Sequence, residues 1–188
     1  IWARLVATYV ARTRPGTGHK RHFVDKLPHN FLYAGFIARA LPDAKIICLR
    51  RDPMDVCLSN FRQLFALTSP YYDYSFDLMD TGHYFLMFDR LMAHWHASMP
   101  GRILEVRYEE LVDNQETVTR ELLAWCGLGW EDACLRFQDN DAPVATASAV
   151  QVRSPMFRTS LQRWKRYGSR MDELYLFLKS AGVLAGPR

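Results

Sequence analysis

The chain reads as an α/β fold, a parallel sheet flanked by helices, and three stretches predict it. Residues 44–49, AKIICL, are a short apolar run with two adjacent isoleucines, the pattern of a strand buried on both faces. The run breaks into Arg50-Arg51-Asp52-Pro53, where Asp52 suits a helix N-cap and Pro53 a first helical turn, so strand, tight turn and helix follow in order. Upstream, residues 31–41 are apolar at helical spacing and stop at Leu41-Pro42-Asp43, which makes them a crossover helix between two parallel strands.

In chain order, residues 1–13 are an amphipathic helix and Arg14-Pro15-Gly16-Thr17-Gly18 the loop that ends it. His22-Phe23-Val24-Asp25 is a short strand candidate running into Lys26-Leu27-Pro28. After the central strand, the helix that opens at Pro53 continues through 61–68. Residues 69–79 are aromatic and irregular, either a packed surface loop or a lid facing a substrate. Residues 80–98 form a long helix whose buried stripe is Tyr84, Phe85, Phe88, Leu91, Met92 and Trp95. Met99-Pro100-Gly101 ends it, and 102–107 is the next strand, continuing into Tyr108-Glu109-Glu110-Leu111-Val112. Helices follow at 114–126, closed by Gly127, and at 130–137. Residues 138–157 lack periodicity and are too long for an idle connection, so they read as a functional loop. A basic stretch at 158–170 precedes a last helix, 171–181, with Leu174, Tyr175 and Leu178 inward.

The 188 residues suit one domain, and 49% hydrophobic content closes a sizeable core. A net charge of +4 without a Lys/Arg run fits a small anionic ligand and excludes a nucleic-acid stripe. Cys48, Cys57, Cys126 and Cys134 have no metal-ligand spacing. They read as reduced core thiols that hold no metal, which implies a cytoplasmic setting, and no stretch reaches the roughly 18 consecutive apolar residues of a membrane span.

The chemistry concentrates where the central strand ends. In open α/β sheets ligands lie beyond the carboxyl ends of the strands, so Arg51 followed by a helix N-terminus is placed to receive an anion. Ser59, eight positions on, can add a hydroxyl if the helix start bends toward the ligand. The pattern Arg51-Asp52-x-x-Asp55-x-x-x-Ser59 after an apolar strand resembles the motif with which sulfotransferases hold the 3′-phosphate of 3′-phosphoadenosine 5′-phosphosulfate (PAPS). The resemblance implies Arg51 and Ser59 as phosphate ligands.

Further elements resemble the tyrosylprotein group of that family, above all its bacterial members. Lys26, 25 positions before Arg51 and followed by Leu27-Pro28, matches the lysine that serves there as a catalytic group. An ammonium stabilises the charge that develops on bridging and leaving oxygens during sulfonyl transfer. Tyr108-Glu109-x-Leu111 resembles the element whose tyrosine contacts the nucleotide. Ser148-x-x-Gln151-Val152-x-x-Pro155 is similar to the segment that closes over it, and Arg163-Trp164 matches a Lys-Trp that reaches its phosphates. Arg in place of Lys keeps the charge and gains a fork suited to phosphate. One departure is Gln63, where that group carries a second phosphate-binding Arg; Arg62 lies on a different helical face.

The resemblance implies a three-layer, P-loop-NTPase-like sheet whose first strand and Gly-rich 5′-phosphosulfate loop are absent, so that residues 1–188 are the C-terminal part of a sulfotransferase domain. It implies PAPS as sulfonyl donor, 3′,5′-adenosine bisphosphate as product, a hydroxyl-bearing acceptor, and helical repeats ahead of the domain in the parent protein. Arg14-Pro15-Gly16-Thr17-Gly18 has the residue types of the missing loop but no strand before it, and reads as a turn. The alternative is a non-catalytic nucleotide-binding or interaction remnant. A third reading, a P-loop kinase relative, is disfavoured because no Walker sequence is present.

Overall fold

The computed structural model describes residues 1–17, 20–66, 68, 70–141 and 151–184. They form a helix-rich α/β fold with a small parallel sheet of two neighbouring strands, β1 (Ile46–Arg50) and β2 (Ile103–Arg107). The chain falls into two compact units, one of residues Ile1–Ile46 and Phe88–Ile103, the other of Ile47–Met87 and Leu104–Arg188.

In the first unit, α1 (Trp2–Thr17) runs through Pro15 and Gly16 rather than stopping at Arg14. Pro15 lies in the last turn, where the lost N–H costs a single bond. Arg14 donates to the Lys20 carbonyl (2.9 Å), which sets the exit of the chain. The strand expected at 22–25 is absent: these residues are extended but have no ladder partner. Asp25 instead accepts from the Tyr9 hydroxyl (2.8 Å), tying the segment to α1. A 3₁₀ turn (Pro28–Tyr33) leads into α2 (Ala34–Ala40), a helix where one was expected, but with no strand before it among the described residues it is not a crossover between parallel strands.

The distal half of α4 (Leu78–Ser98) packs beside α2. Trp95 donates its indole N–H to the Phe31 carbonyl (2.8 Å), and Phe31 meets Phe88 edge-on at 5.0 Å. Gly35 is there to admit the indole, since a Cβ at that position would lie 2.7 Å from the Trp95 ring.

In the second unit, Asp52 caps α3 (Pro53–Arg62) as expected, accepting from Asp55 N–H at 2.9 Å. The helix stops at Arg62 instead of continuing to residue 68, because Gln63 turns extended as the C-cap. The aromatic stretch is a packed loop: a 3₁₀ segment (Pro70–Phe76) lies against α3. Its rings stack in two pairs, Phe65 on Tyr72 (4.1 Å) and Tyr74 on Tyr84 (3.8 Å). Asp77 accepts from the N–H groups of Met79 and Asp80 (2.7 and 3.0 Å), so α4 begins two residues earlier than its apolar stripe indicates.

Tyr108 does not prolong β2; it opens a short helix, α5 (Tyr108–Asp113), followed by α6 (Gln115–Cys126) with Gly127 left-handed at its C-cap. The expected helix at 130–137 is two 3₁₀ turns, Asp132–Leu135 and Phe137–Asp139. The basic stretch is a 3₁₀ segment (Arg163–Met171) kinked at Gly168, ahead of α7 (Asp172–Ser180). The core of this unit is Met54, Cys57, Leu58, Phe85, Met171, Leu174 and Leu178, all buried. Burying each large aliphatic side chain contributes about 1.5–3 kcal/mol.

Cys57 is buried in this core, its thiol directed at the Thr81 carbonyl (3.8 Å), and burial pushes its pKa up to about 12. Burial, reinforced by Glu105 and opposed by Arg50, raises Cys48 to about 11. Among the described residues no helix is long and apolar enough to cross a membrane.

Two outcomes follow from this packing. Gly35→Ala will lower the urea midpoint, at a loss of about 1–3 kcal/mol of stability, since a pinned indole cannot yield and overpacking outweighs the gain in helix propensity, at most about 1 kcal/mol. Gly16→Ala in α1, with open space around its Cβ, will not lower it. With iodoacetamide at neutral pH, mass spectrometry will find Cys57 and Cys48 unmodified in the folded protein and modified in urea, because a thiol with a raised pKa holds little nucleophilic thiolate.

Candidate active site

The site is built in the second unit around the turn from β1 into α3. Arg51 leaves the carboxyl end of β1 and its guanidinium is held on three sides. Nη2 donates to the Ser160 carbonyl and lies 3.4 Å from Asp55 Oδ2. The guanidinium carbon stands 5.1 Å from the centre of the Tyr108 ring, a cation–π distance. Helical spacing explains the Asp55 contact, since i and i+4 share a face.

Asp55 does more than pair with Arg51. Its carboxylate is 1% exposed and accepts two backbone bonds from a distant segment, Gln162 N–H at 2.7 Å and Trp164 N–H at 3.1 Å. Tyr108 and Ser160 share a hydroxyl–hydroxyl bond of 3.0 Å. Arg51, Asp55, Tyr108 and residues 160–164 are therefore one network, although they come from three separate parts of the chain.

The N-terminus of α3, where the sequence places an anion, already meets a carboxylate: Asp52 N–H donates to Glu109 Oε1 at 2.7 Å. Asp52 itself sits above the usual carboxylate range. Burial is the main cause, the Asp55 N–H bond opposes it, and the charges of Asp55 and Glu109 add to it. Three carboxylates, Asp52, Asp55 and Glu109, thus gather at the start of α3, and Asp55 is the one paired with Arg51. Against this, the Nε–H of Arg51 is buried and meets no acceptor among the described residues, a loss of about 1–3 kcal/mol for a desolvated donor.

The structure brings together Arg51, Tyr108 and the start of the 163–171 segment from among the residues picked out by sequence. Arg163 is exposed at the first position of that segment, and Gln162 before it takes a left-handed backbone conformation (φ 51°). Trp164 stacks on Tyr175 (5.9 Å, 24°), with its indole N–H buried and unpartnered among the described residues. Ser59 is exposed on α3, one turn beyond Asp55 on the same side. Gln151 opens a 3₁₀ turn, Gln151–Arg153, and Ser148 lies outside the described residues. Lys26 is exposed in an extended stretch of the first unit.

At the departure from the family pattern, Gln63 is the C-cap of α3, and Arg62 lies over the Tyr167 ring at 5.8 Å. Arg158, read from sequence as solvated, pairs with Asp113 at 2.6 Å while staying 72% exposed. Asp55, Ser160 and Glu109 carry the network yet drew no role from sequence. The spacing Arg51 to Asp55 was a visible signal for the first; nothing in the local sequence marks the other two.

A profile of the sulfotransferase family matches residues 1–132. A protein of Aquifex aeolicus (strain VF5), itself described only as uncharacterized, is 42% identical over 159 residues, which is 85% of this chain and 21% of that protein. The solved sulfotransferase domain from the curacin biosynthetic pathway superposes with a TM-score of 0.63 at 16% identity, over 97% of this chain and 69% of that one. This chain thus spans about a fifth of the length of its bacterial relative, and the likeness to the curacin domain is one of fold. With the match covering most of its length, the chain belongs to the sulfotransferase family.

Proposed function

We propose that the chain supplies the 3′-phosphate and adenosine contacts of an enzyme that moves a sulfonyl group from PAPS to a hydroxyl acceptor. The observation that carries this reading is the state of Arg51. It stands at the carboxyl end of a parallel strand with a buried Nε–H lacking an acceptor, beside the hydroxyls of Tyr108 and Ser160. A phosphate is an acceptor of the right charge, and a guanidinium fork offers it two parallel bonds. The motif resemblance to the tyrosylprotein group and membership of the sulfotransferase family point the same way.

In this reading Arg51 and Ser59 bind the 3′-phosphate. Tyr108, Ser148 and Gln151 contact the nucleotide, and Arg163 reaches its phosphates. Lys26 neutralises charge on the leaving group as the S–O bond to the nucleotide breaks, which lowers the barrier to in-line attack by the acceptor. The reading assigns donor binding to these residues and assistance to transfer to Lys26, and none of them is assigned as the general base.

Calorimetry with 3′,5′-adenosine bisphosphate tests the binding. Arg51→Ala and Ser59→Ala will each weaken affinity by roughly 1.5–3 kcal/mol, the scale of hydrogen bonds to charged groups. Unchanged affinity in both, with circular dichroism confirming the fold, would remove the site. Lys26→Ala will spare bisphosphate affinity but cut turnover in the parent by about 10²–10³, as loss of a transition-state donor does. Full turnover would refute its role, and binding without any turnover in the unaltered parent would leave the non-catalytic remnant as the correct reading.

A further inference from the structure

We propose that Asp55 is a positioning residue, a buried latch that carries the 160–164 segment to Arg51 so that Arg51, Tyr108, Ser160 and Arg163 face an incoming 3′-phosphate as one unit; this rests on the nucleotide reading above. The bond lengths order the contacts. Asp55 holds the amides of Gln162 and Trp164 at 2.7 and 3.1 Å, whereas its contact with Arg51 is 3.4 Å.

The short amide bonds are the anchor. The longer ion pair is the part that yields when a phosphate takes the guanidinium. Asp55 is suited to this because its carboxylate is 1% exposed, so water does not compete for either amide. Besides Asp55, the segment is held by Ser160 at Arg51 and Tyr108 and by Trp164 against Tyr175. Arg163 and Lys165 are exposed, Gln162 is in a left-handed conformation that a residue with a side chain adopts only under constraint, and Ser160 presents its carbonyl to Arg51 and its hydroxyl to Tyr108.

Without the carboxylate, the segment loses both amide acceptors and Arg51 loses its resident counter-charge. The network then opens at the point where the anion binds. An asparagine keeps one acceptor oxygen, and with it one of the two amide bonds, while it removes the charge and turns a donor toward the other amide; alanine removes both acceptors.

The experiment compares the unaltered chain with Asp55→Asn and Asp55→Ala by calorimetry and limited trypsin digestion. Arg158, Arg163, Lys165 and Arg166 are cleavage sites within or beside the segment. We expect cleavage there to accelerate about tenfold in Asp55→Asn, more in Asp55→Ala, and to be slowed again by 3′,5′-adenosine bisphosphate. Affinity for the bisphosphate should fall about 10- to 100-fold, while affinity for adenosine 5′-monophosphate, which lacks the 3′-phosphate, changes less than about threefold. Equal losses for the two ligands would mark Asp55 as a general support of the fold and overturn the proposal, as would cleavage and affinity matching the unaltered chain. If neither ligand binds the unaltered chain, the nucleotide reading fails, while the digestion still decides whether Asp55 holds the segment. Should both variants fail to fold, hydrogen exchange on the unaltered chain decides: the amides of Gln162 and Trp164 must be protected, and rapid exchange at both would refute the latch.

Discussion

A carboxylate hidden from water cannot be left alone, and Asp55 is the one on which the second unit depends. Charge buried without partners costs far more than a surface pair returns. Asp55 therefore has to collect donors, and it finds them in Arg51 one helical turn back and in two amides more than a hundred residues away. Those amides cannot be supplied by α3 itself, whose own N–H groups are committed to helix bonds and to the Asp52 cap. Closing the chain on this residue is what places the basic 163–171 segment beside the end of β1.

The consequence is an anion site that is balanced before any ligand arrives. Arg51 has Asp55 and the Ser160 carbonyl, and the first amide of the turn has Glu109. In the proposed reading such a site gains selectivity at the expense of raw affinity, because a ligand that accepts from the buried Arg51 Nε–H must also displace part of an existing ion pair. A dianionic phosphate outcompetes a single carboxylate at a guanidinium more readily than a monoanion does. The raised titration range of Asp52 belongs to the same crowding, with three acidic groups sharing a small, partly dry volume.

Aromatic packing around this centre is rigid. The stacked pairs Phe65–Tyr72 and Tyr74–Tyr84 seat residues 70–76 on α3, and burial lifts the Tyr74 hydroxyl to about 12. Tyr74 is a structural support whose hydroxyl stays protonated at physiological pH. The C-terminal helix closes the opposite side through Leu174 and Leu178, each fully buried. The site thus rests on two elements, α3 and α7, that touch each other directly.

Local chemistry alone determined β1, the Asp52-capped start of α3, the helix at α2 and the family motif around Arg51, because each is written within a few neighbouring residues as an apolar run, a cap or a proline. The same local rules misplaced what depends on partners at a distance. Residues 22–25 have strand-like composition but no neighbouring strand to pair with, Tyr108 begins a helix where the pattern of β2 could have continued, and α3 ends at Arg62 despite further helix formers. The roles of Asp55, Ser160 and Glu109 belong to tertiary structure for the same reason. A hydrogen bond spanning 107 residues leaves no periodicity to read, and only the folded chain decides which donor a buried carboxylate will meet.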